Sequence, residues 1–135
     1  MADTIQLEIV TPERLVVKDT AEYIELPGKT GYLGVLPRHA PLITEIAAGE
    51  INYKSGAAIK RLAVAAGFAE VLPDKVTILA ETAEKAEEID VSRAEAAKQR
   101  AEEALRQAGP AGNTEAQAAL QRATARIDVA AKGKS

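Results

Sequence analysis

Two neighbouring stretches decide the architecture: Lys75–Ala80 (KVTILA) and Ile89–Ala108 (IDVSRAEAAKQRAEEALRQA). The first is a short apolar run of the kind that forms a strand. In the second, Ala94, Ala97, Ala101, Ala104 and Ala108 recur at steps of three and four, which aligns them as one stripe on a helix. The period changes between the two, so a boundary falls near Ala83–Ile89. Composition changes at the same place. Residues 1–82 hold 12 alanines, whereas residues 83–131 hold 16 in little more than half the length. The first part also carries six of the nine glycines and five of the six prolines. It has 8 basic and 11 acidic residues, against 9 and 9 in residues 83–135. We assign residues 1–85 to a β domain and residues 86–135 to a two-helix domain, with helices at about 90–108 and 114–131.

Upstream of the boundary, the chain is a succession of short strands separated by turn residues. Thr4–Val10 alternates Ile5, Leu7 and Ile9 with Thr4, Gln6 and Glu8, as a half-buried strand requires. Thr11-Pro12-Glu13 turns the chain, and Arg14–Lys18 and Glu22–Leu26 follow as strands around Asp19-Thr20. Pro27-Gly28 is read as a break. Strands are expected near Tyr32–Leu36 and at Leu42–Ile46, Glu50–Tyr53, Ile59–Val64, Gly67–Leu72 and Lys75–Ala80, with Pro73-Asp74 turning the last pair. Many short strands at this spacing indicate an all-β sandwich or barrel.

Downstream, Asp90 or Ser92 caps the first helix, Ser92 forming a capping box with Glu95, and acidic residues favour that end. Gly109-Pro110-Ala111-Gly112-Asn113 stops the helix. Asn113 or Thr114 caps a second helix, whose stripe is Ala116, Leu120, Ala123, Ile127 and Ala130. So short a loop makes the pair antiparallel. Both stripes are mostly alanine, so the axes approach closely but bury little apolar area, and the hairpin is held weakly. Gly133-Lys134-Ser135 is expected to fray.

Composition excludes several functions. The 135 residues contain no cysteine, which removes disulfides, thiolate nucleophiles and cysteine-based metal sites, and only one histidine, which removes histidine clusters. A net charge of -3 opposes a dedicated nucleic-acid binder. The longest uncharged stretch is eight residues, far short of the ~20 of a transmembrane helix. Asp3 and Glu8 lie where a signal or transit peptide would be basic, so no leader is read.

His39, in the Pro37–Pro41 loop, lacks a partner nucleophile and an orienting group in the neighbouring sequence, and a structural role outweighs catalysis. Gly28, Gly31 and Gly34 lack the following helix of a phosphate loop, so they read as turn glycines with positive φ. The helix arginines leave two readings open. Arg93 and Arg100 share a face of the first helix, and Arg122 and Arg126 share a face of the second. Four guanidiniums then converge with Asp90 at their edge, as phosphate recognition would use. The alternative is a solvated face laced with pairs such as Glu95 with Lys98 and Glu102 with Arg106.

The run Gly31-Tyr32-Leu33-Gly34-Val35-Leu36-Pro37-Arg38-His39-Ala40-Pro41-Leu42 resembles the signature loop of the epsilon subunits of bacterial F-type ATP synthases. Gly67–Val71 and Ile78–Glu84 resemble that family's last two strands, and the likeness extends over essentially the whole chain. It implies a β-sandwich of about ten short strands followed by a C-terminal antiparallel α-helical hairpin. It also implies a non-catalytic central-stalk component that couples proton flow to rotation. The implied partners are the gamma subunit, the c-ring and the catalytic alpha/beta head, with no nucleic acid and with membrane contact only through the complex. The loop residues Gly31, Leu36, Pro37, His39 and Pro41 would face the c-ring. The hairpin would fold on the sandwich or extend towards the head, where it restrains ATP hydrolysis.

Some members bind ATP through an Ile/Leu-Asp-x-x-Arg-Ala motif, matched here by Ile89, Asp90, Arg93 and Ala94. Glu84, Arg100, Arg122 and Arg126 resemble the remaining nucleotide contacts. ATP is thus implied as a regulatory ligand, while no cofactor is required. The expected location is peripheral, on the cytoplasmic face of the bacterial membrane. The competing functional class is a free-standing ATP-sensing module that closes its hairpin without a larger machine.

Overall fold

The computed structural model describes residues 3–133. Ten strands come first: β1 Ile5–Val10, β2 Leu15–Ala21, β3 Tyr23–Gly28, β4 Gly31–Val35, β5 Leu42–Ile46, β6 Gly49–Ser55, β7 Ala58–Val64, β8 Gly67–Val71, β9 Lys75–Ala80 and β10 Ala83–Lys85. A 3-10 turn, Ala86–Glu88, leads to helices α1 (Val91–Ala108) and α2 (Thr114–Gly133), which a second 3-10 turn, Gly109–Ala111, joins. The strands follow one hydrogen-bonded order, β10-β7-β6-β3-β5-β8-β9-β1-β2, with β4 beside β3. Pairing is antiparallel except for β1 with β9, where Leu7 meets Val76 and Ile9 meets Ile78.

Period-two patterning explains why this ribbon becomes a sandwich. Ile5, Leu7 and Ile9 of β1, Ile24 and Leu26 of β3, Ile51 of β6 and Val76 and Ile78 of β9 are all fully buried in one core. Asp19 of β2 helps to close the sheet on itself. It accepts hydrogen bonds from Tyr53 Oη (3.0 Å) and Ser55 Oγ (3.3 Å) of β6 and from Lys60 Nζ (3.0 Å) of β7. Burial pushes its carboxyl up, but the bonds from Lys60, Thr20 and Tyr53 outweigh that and hold it below its ordinary value.

Several local expectations are corrected. Asp19-Thr20 lies within β2 rather than in a turn, because Asp19 carries the sheet-closing contacts just described. Pro27-Gly28 does not break the chain. Both residues belong to β3, and the reversal comes at Lys29-Thr30. Of the three glycines assigned positive φ, only Gly31 has it (142°). The short tenth strand escaped the sequence pattern because three residues show no period. Ser92 is not the helix cap. Asp90 fills that role, its Oδ1 accepting from the Arg93 N–H at 3.1 Å, and the first turn of α1 contains no acidic residue. Asn113 caps α2, accepting from the Ala116 N–H at 3.0 Å.

The hairpin differs most from its expected packing in α2. Besides Ala116, Ala123 and Ala130, this helix buries Ala125 and Val129, which at 3.6 residues per turn lie on the opposite face. Leu120 and Ile127 are only half-buried. A helix buried on two faces lies between two partners, and α2 packs on α1 on one side and on β6, β7 and the 86–88 turn on the other. Lys132, one turn beyond Val129, bonds to Glu50 of β6 and so marks the sheet side. The α1 stripe holds, with Ala94 and Ala101 buried and Ala97, Ala104 and Ala108 half-buried. Gly109, at φ 64°, ends α1. Gly133 is the last residue of α2, and Lys134 and Ser135 lie outside the described residues.

Candidate functional site

A cleft of about 430 Å³ opens where β10, the start of α1 and the middle of α2 meet the β1–β2 turn. Each element contributes charge. Glu84 comes from β10, Asp90, Arg93 and Arg100 from the cap and first turns of α1, Arg126 from α2 and Arg14 from the turn, with Ala94 and Ala97 as the apolar wall. Arg126 Nε donates to Glu84 Oε1 at 2.5 Å, a contact that spans 42 residues and ties α2 to the edge strand. Arg14 pairs with Glu88 at 3.1 Å. Asp90 is occupied as the helix cap. Among the described residues, Arg93 and Arg100 form no ion pair, so two exposed guanidiniums on one face of α1 are left to meet an anion.

The structure thus brings Glu84, Asp90, Arg93, Ala94, Arg100 and Arg126 together. Two expected residues lie apart. Arg122 pairs with Glu115 at 3.1 Å along α2 and lines a neighbouring crevice against Ala63–Ala65 and Thr82. Its spacing of four from Arg126 placed it on the same flank but could not reveal Glu115 as the nearer partner. Ile89 precedes the cap, half-buried, with its N–H directed to the Ala86 carbonyl. On the solvated side of α1, Arg106 pairs with Glu103 rather than Glu102.

The Gly31–Pro41 loop is shaped by its own backbone. Arg38 adopts φ 69°, its N–H donates to the Pro73 carbonyl at 2.7 Å, and its guanidinium pairs with Asp3. His39 donates its backbone N–H to the Leu36 carbonyl (3.1 Å) and its Nδ1–H to the Ala40 carbonyl (2.7 Å). Among the described residues, neither a nucleophile nor a carboxylate engages the imidazole, and the two bonds of His39 fix the loop. Leu36 is left exposed. Among the described residues, no group of histidines and carboxylates is arranged to hold a metal.

Two features escaped the sequence reading. The first is an apolar outer face. Phe68 of β8 and Leu79 of β9 are direct cross-strand partners, each more than half exposed, and with Val10 and Pro12 they line a cleft of about 650 Å³. Ile43 on β5 is 71% exposed. The signal was present, because in β8 alternation puts Phe68 on the face of Glu70, opposite Ala69 and Val71. The second is Glu50, the one buried charged side chain among the described residues. Burial pushes its carboxyl up, yet hydrogen bonds from Lys132, Arg61 and Asn52 outweigh that and hold it below its ordinary value.

Comparison with known proteins agrees with this architecture. Residues 4–86 match the family described as ATP synthase, delta/epsilon chain, beta-sandwich domain. Residues 87–131 match ATP synthase, delta/epsilon chain, long alpha-helix domain. The ATP synthase epsilon chain of Koribacter versatilis is 66% identical over 110 residues, 82% of this chain and 78% of that one. That of Syntrophobacter fumaroxidans is 50% identical over 133 residues, covering 98% of this chain and 99% of the relative. A chain in the Euglena gracilis mitochondrial ATP synthase structure (OSCP/F1/c-ring) shares the fold. Its TM-score is 0.81 at 21% identity, over 95% of this chain and 81% of its own.

Proposed function

The chain belongs to the ATP synthase delta/epsilon family, among the non-catalytic epsilon chains of bacterial F-type enzymes, and on that premise we propose that it works in the central stalk, with its hairpin as an ATP-sensitive brake on hydrolysis. The observation that carries this reading is the cleft between β10, α1 and α2, in which Arg93 and Arg100 stand without ion-pair partners among the described residues. A triphosphate there would bridge sandwich and hairpin. By binding the docked arrangement more tightly than the released one, it would hold the hairpin down. Arg93, Arg100 and Arg126 would neutralise phosphate charge, and Asp90 would keep the start of α1 in register. Released, the hairpin would reach the catalytic alpha/beta head and restrain hydrolysis.

The sandwich supplies the fixed half of this arrangement. Its exposed Phe68–Leu79 face suits an apolar surface of the gamma subunit, and the Gly31–Pro41 loop, with Leu36 exposed, suits the c-ring. Through these contacts the chain would couple proton translocation to rotation. It would lie peripherally on the cytoplasmic face of the bacterial membrane, held there by its protein partners. No helix among the described residues is long and apolar enough to cross a membrane. Calorimetric titration of the chain with ATP, beside R93A, tests the ligand. Saturable binding that the substitution removes supports the brake, whereas no heat up to millimolar ATP would overturn it.

A further inference from the structure

We propose that Glu50 of β6 and Lys132 in the last turn of α2 form a latch that holds the hairpin on the sandwich, through residues that do not line the arginine cleft. The two oxygens of this buried carboxylate are served separately. Oε2 accepts from Arg61 Nη1 (2.6 Å) and Asn52 Nδ2 (3.0 Å), both from the sandwich, whereas Oε1 accepts from Lys132 Nζ (3.0 Å). The sandwich therefore completes one half of the carboxylate and α2 the other. With Lys132 gone and α2 still docked, Oε1 would stay buried without its charged donor, an arrangement that costs far more than loss of an exposed pair. Departure of α2 would instead return Oε1 to water. Lys132 therefore favours the docked state over the released one.

The geometry around the latch is built for close approach. The last turn of α2 rests on the 86–88 turn, where a Cβ on Gly133 would lie 2.3 Å from that of Ala86. Any side chain there would lift the helix end. The backbone of Glu50 is also held from the far side, its N–H donating to Tyr32 Oη at 3.3 Å. Glu50 belongs to neither the nucleotide cleft nor the apolar face. The regulatory consequence rests on the hairpin being a releasable element, and the test separates the two ideas.

Hydrogen exchange of the full chain reads this directly, through the amides of α2 beside those of β1 and β9. K132M, at a half-exposed side chain, is expected to speed exchange in the second half of α2 by about tenfold or more, with β1 and β9 unchanged. E50Q should do the same, and the double substitution should go little beyond E50Q alone, since both remove one interaction. If E50Q fails to fold, K132M alone decides. Unchanged α2 exchange in K132M, or fully additive effects, would overturn the latch while leaving a releasable hairpin intact. In the unaltered chain, α2 amides that open only together with β1 would overturn the releasable hairpin itself.

Discussion

The sandwich and the hairpin are built from different side chains, and the difference sets what each can do. The sandwich buries isoleucine, leucine and valine from both halves of one folded sheet, eight of them from four strands fully enclosed. The hairpin buries alanines, with Val129 as its one fully buried larger side chain among the described residues. At roughly 25 cal/mol per Å² of apolar surface, a seam of methyl groups contributes a fraction of what branched chains contribute. Helix α1 packs on α2, and α2 in turn is fastened to the sheet by Ala125, Val129 and the Lys132–Glu50 pair. One part is thus a rigid platform. The other is held by a thinner seam, and the proposed brake requires that its docked and released packings lie within a few kcal/mol, the range in which a ligand can choose between them.

Substitutions that strike each part should break this contrast if it is wrong. The largest effect is expected in the platform. L7A removes a fully buried side chain and should cost about 2–5 kcal/mol in urea unfolding, taking sandwich and hairpin down together. A123L forces a larger residue into the 1%-exposed position of the alanine stripe. It should cost about 1–3 kcal/mol, read as easier proteolysis of the hairpin while the sandwich keeps its unfolding midpoint. D90A removes the α1 cap and should cost about 1 kcal/mol, visible as lost helical circular dichroism. At the small end, R122A deletes an exposed pair with Glu115 and should shift stability by under ~0.5 kcal/mol.

Acid sharpens the same comparison. The folded Glu50 carboxyl titrates below its ordinary value of 4.5, so its contribution is complete above that pH and is lost as pH falls through the depressed folded value. Asp19, held below 3.8, behaves likewise. Acid titration followed by α2 exchange should therefore show α2 loosening as the Glu50 contribution is lost. E50Q should flatten this loosening, and an unaltered loosening in E50Q would remove Glu50 from its cause.

Much of this architecture was legible because period is a local property. Ile5, Leu7 and Ile9 announce β1, and Ala94, Ala97, Ala101, Ala104 and Ala108 announce α1, whatever surrounds them. What failed were features fixed by distant partners. Asp19 looks like a turn residue until Tyr53, Ser55 and Lys60 reach it from two other strands. The second buried face of α2 is set by the sheet beneath it, and a single-stripe reading has no place for Ala125 or Val129. In the cleft, the spacing of Arg93 and Arg100 follows from helix geometry, whereas the partners of Arg122 and Arg126 do not. Glu50 is the extreme case, for its chief partner is 82 residues away.

The most direct test of a fixed platform carrying a releasable brake is ATP hydrolysis by the assembled complex with the chain ended after Lys85. Faster hydrolysis than with the full chain is expected, while the complex still assembles around the sandwich. An unchanged rate in a complex that assembles normally would contradict it.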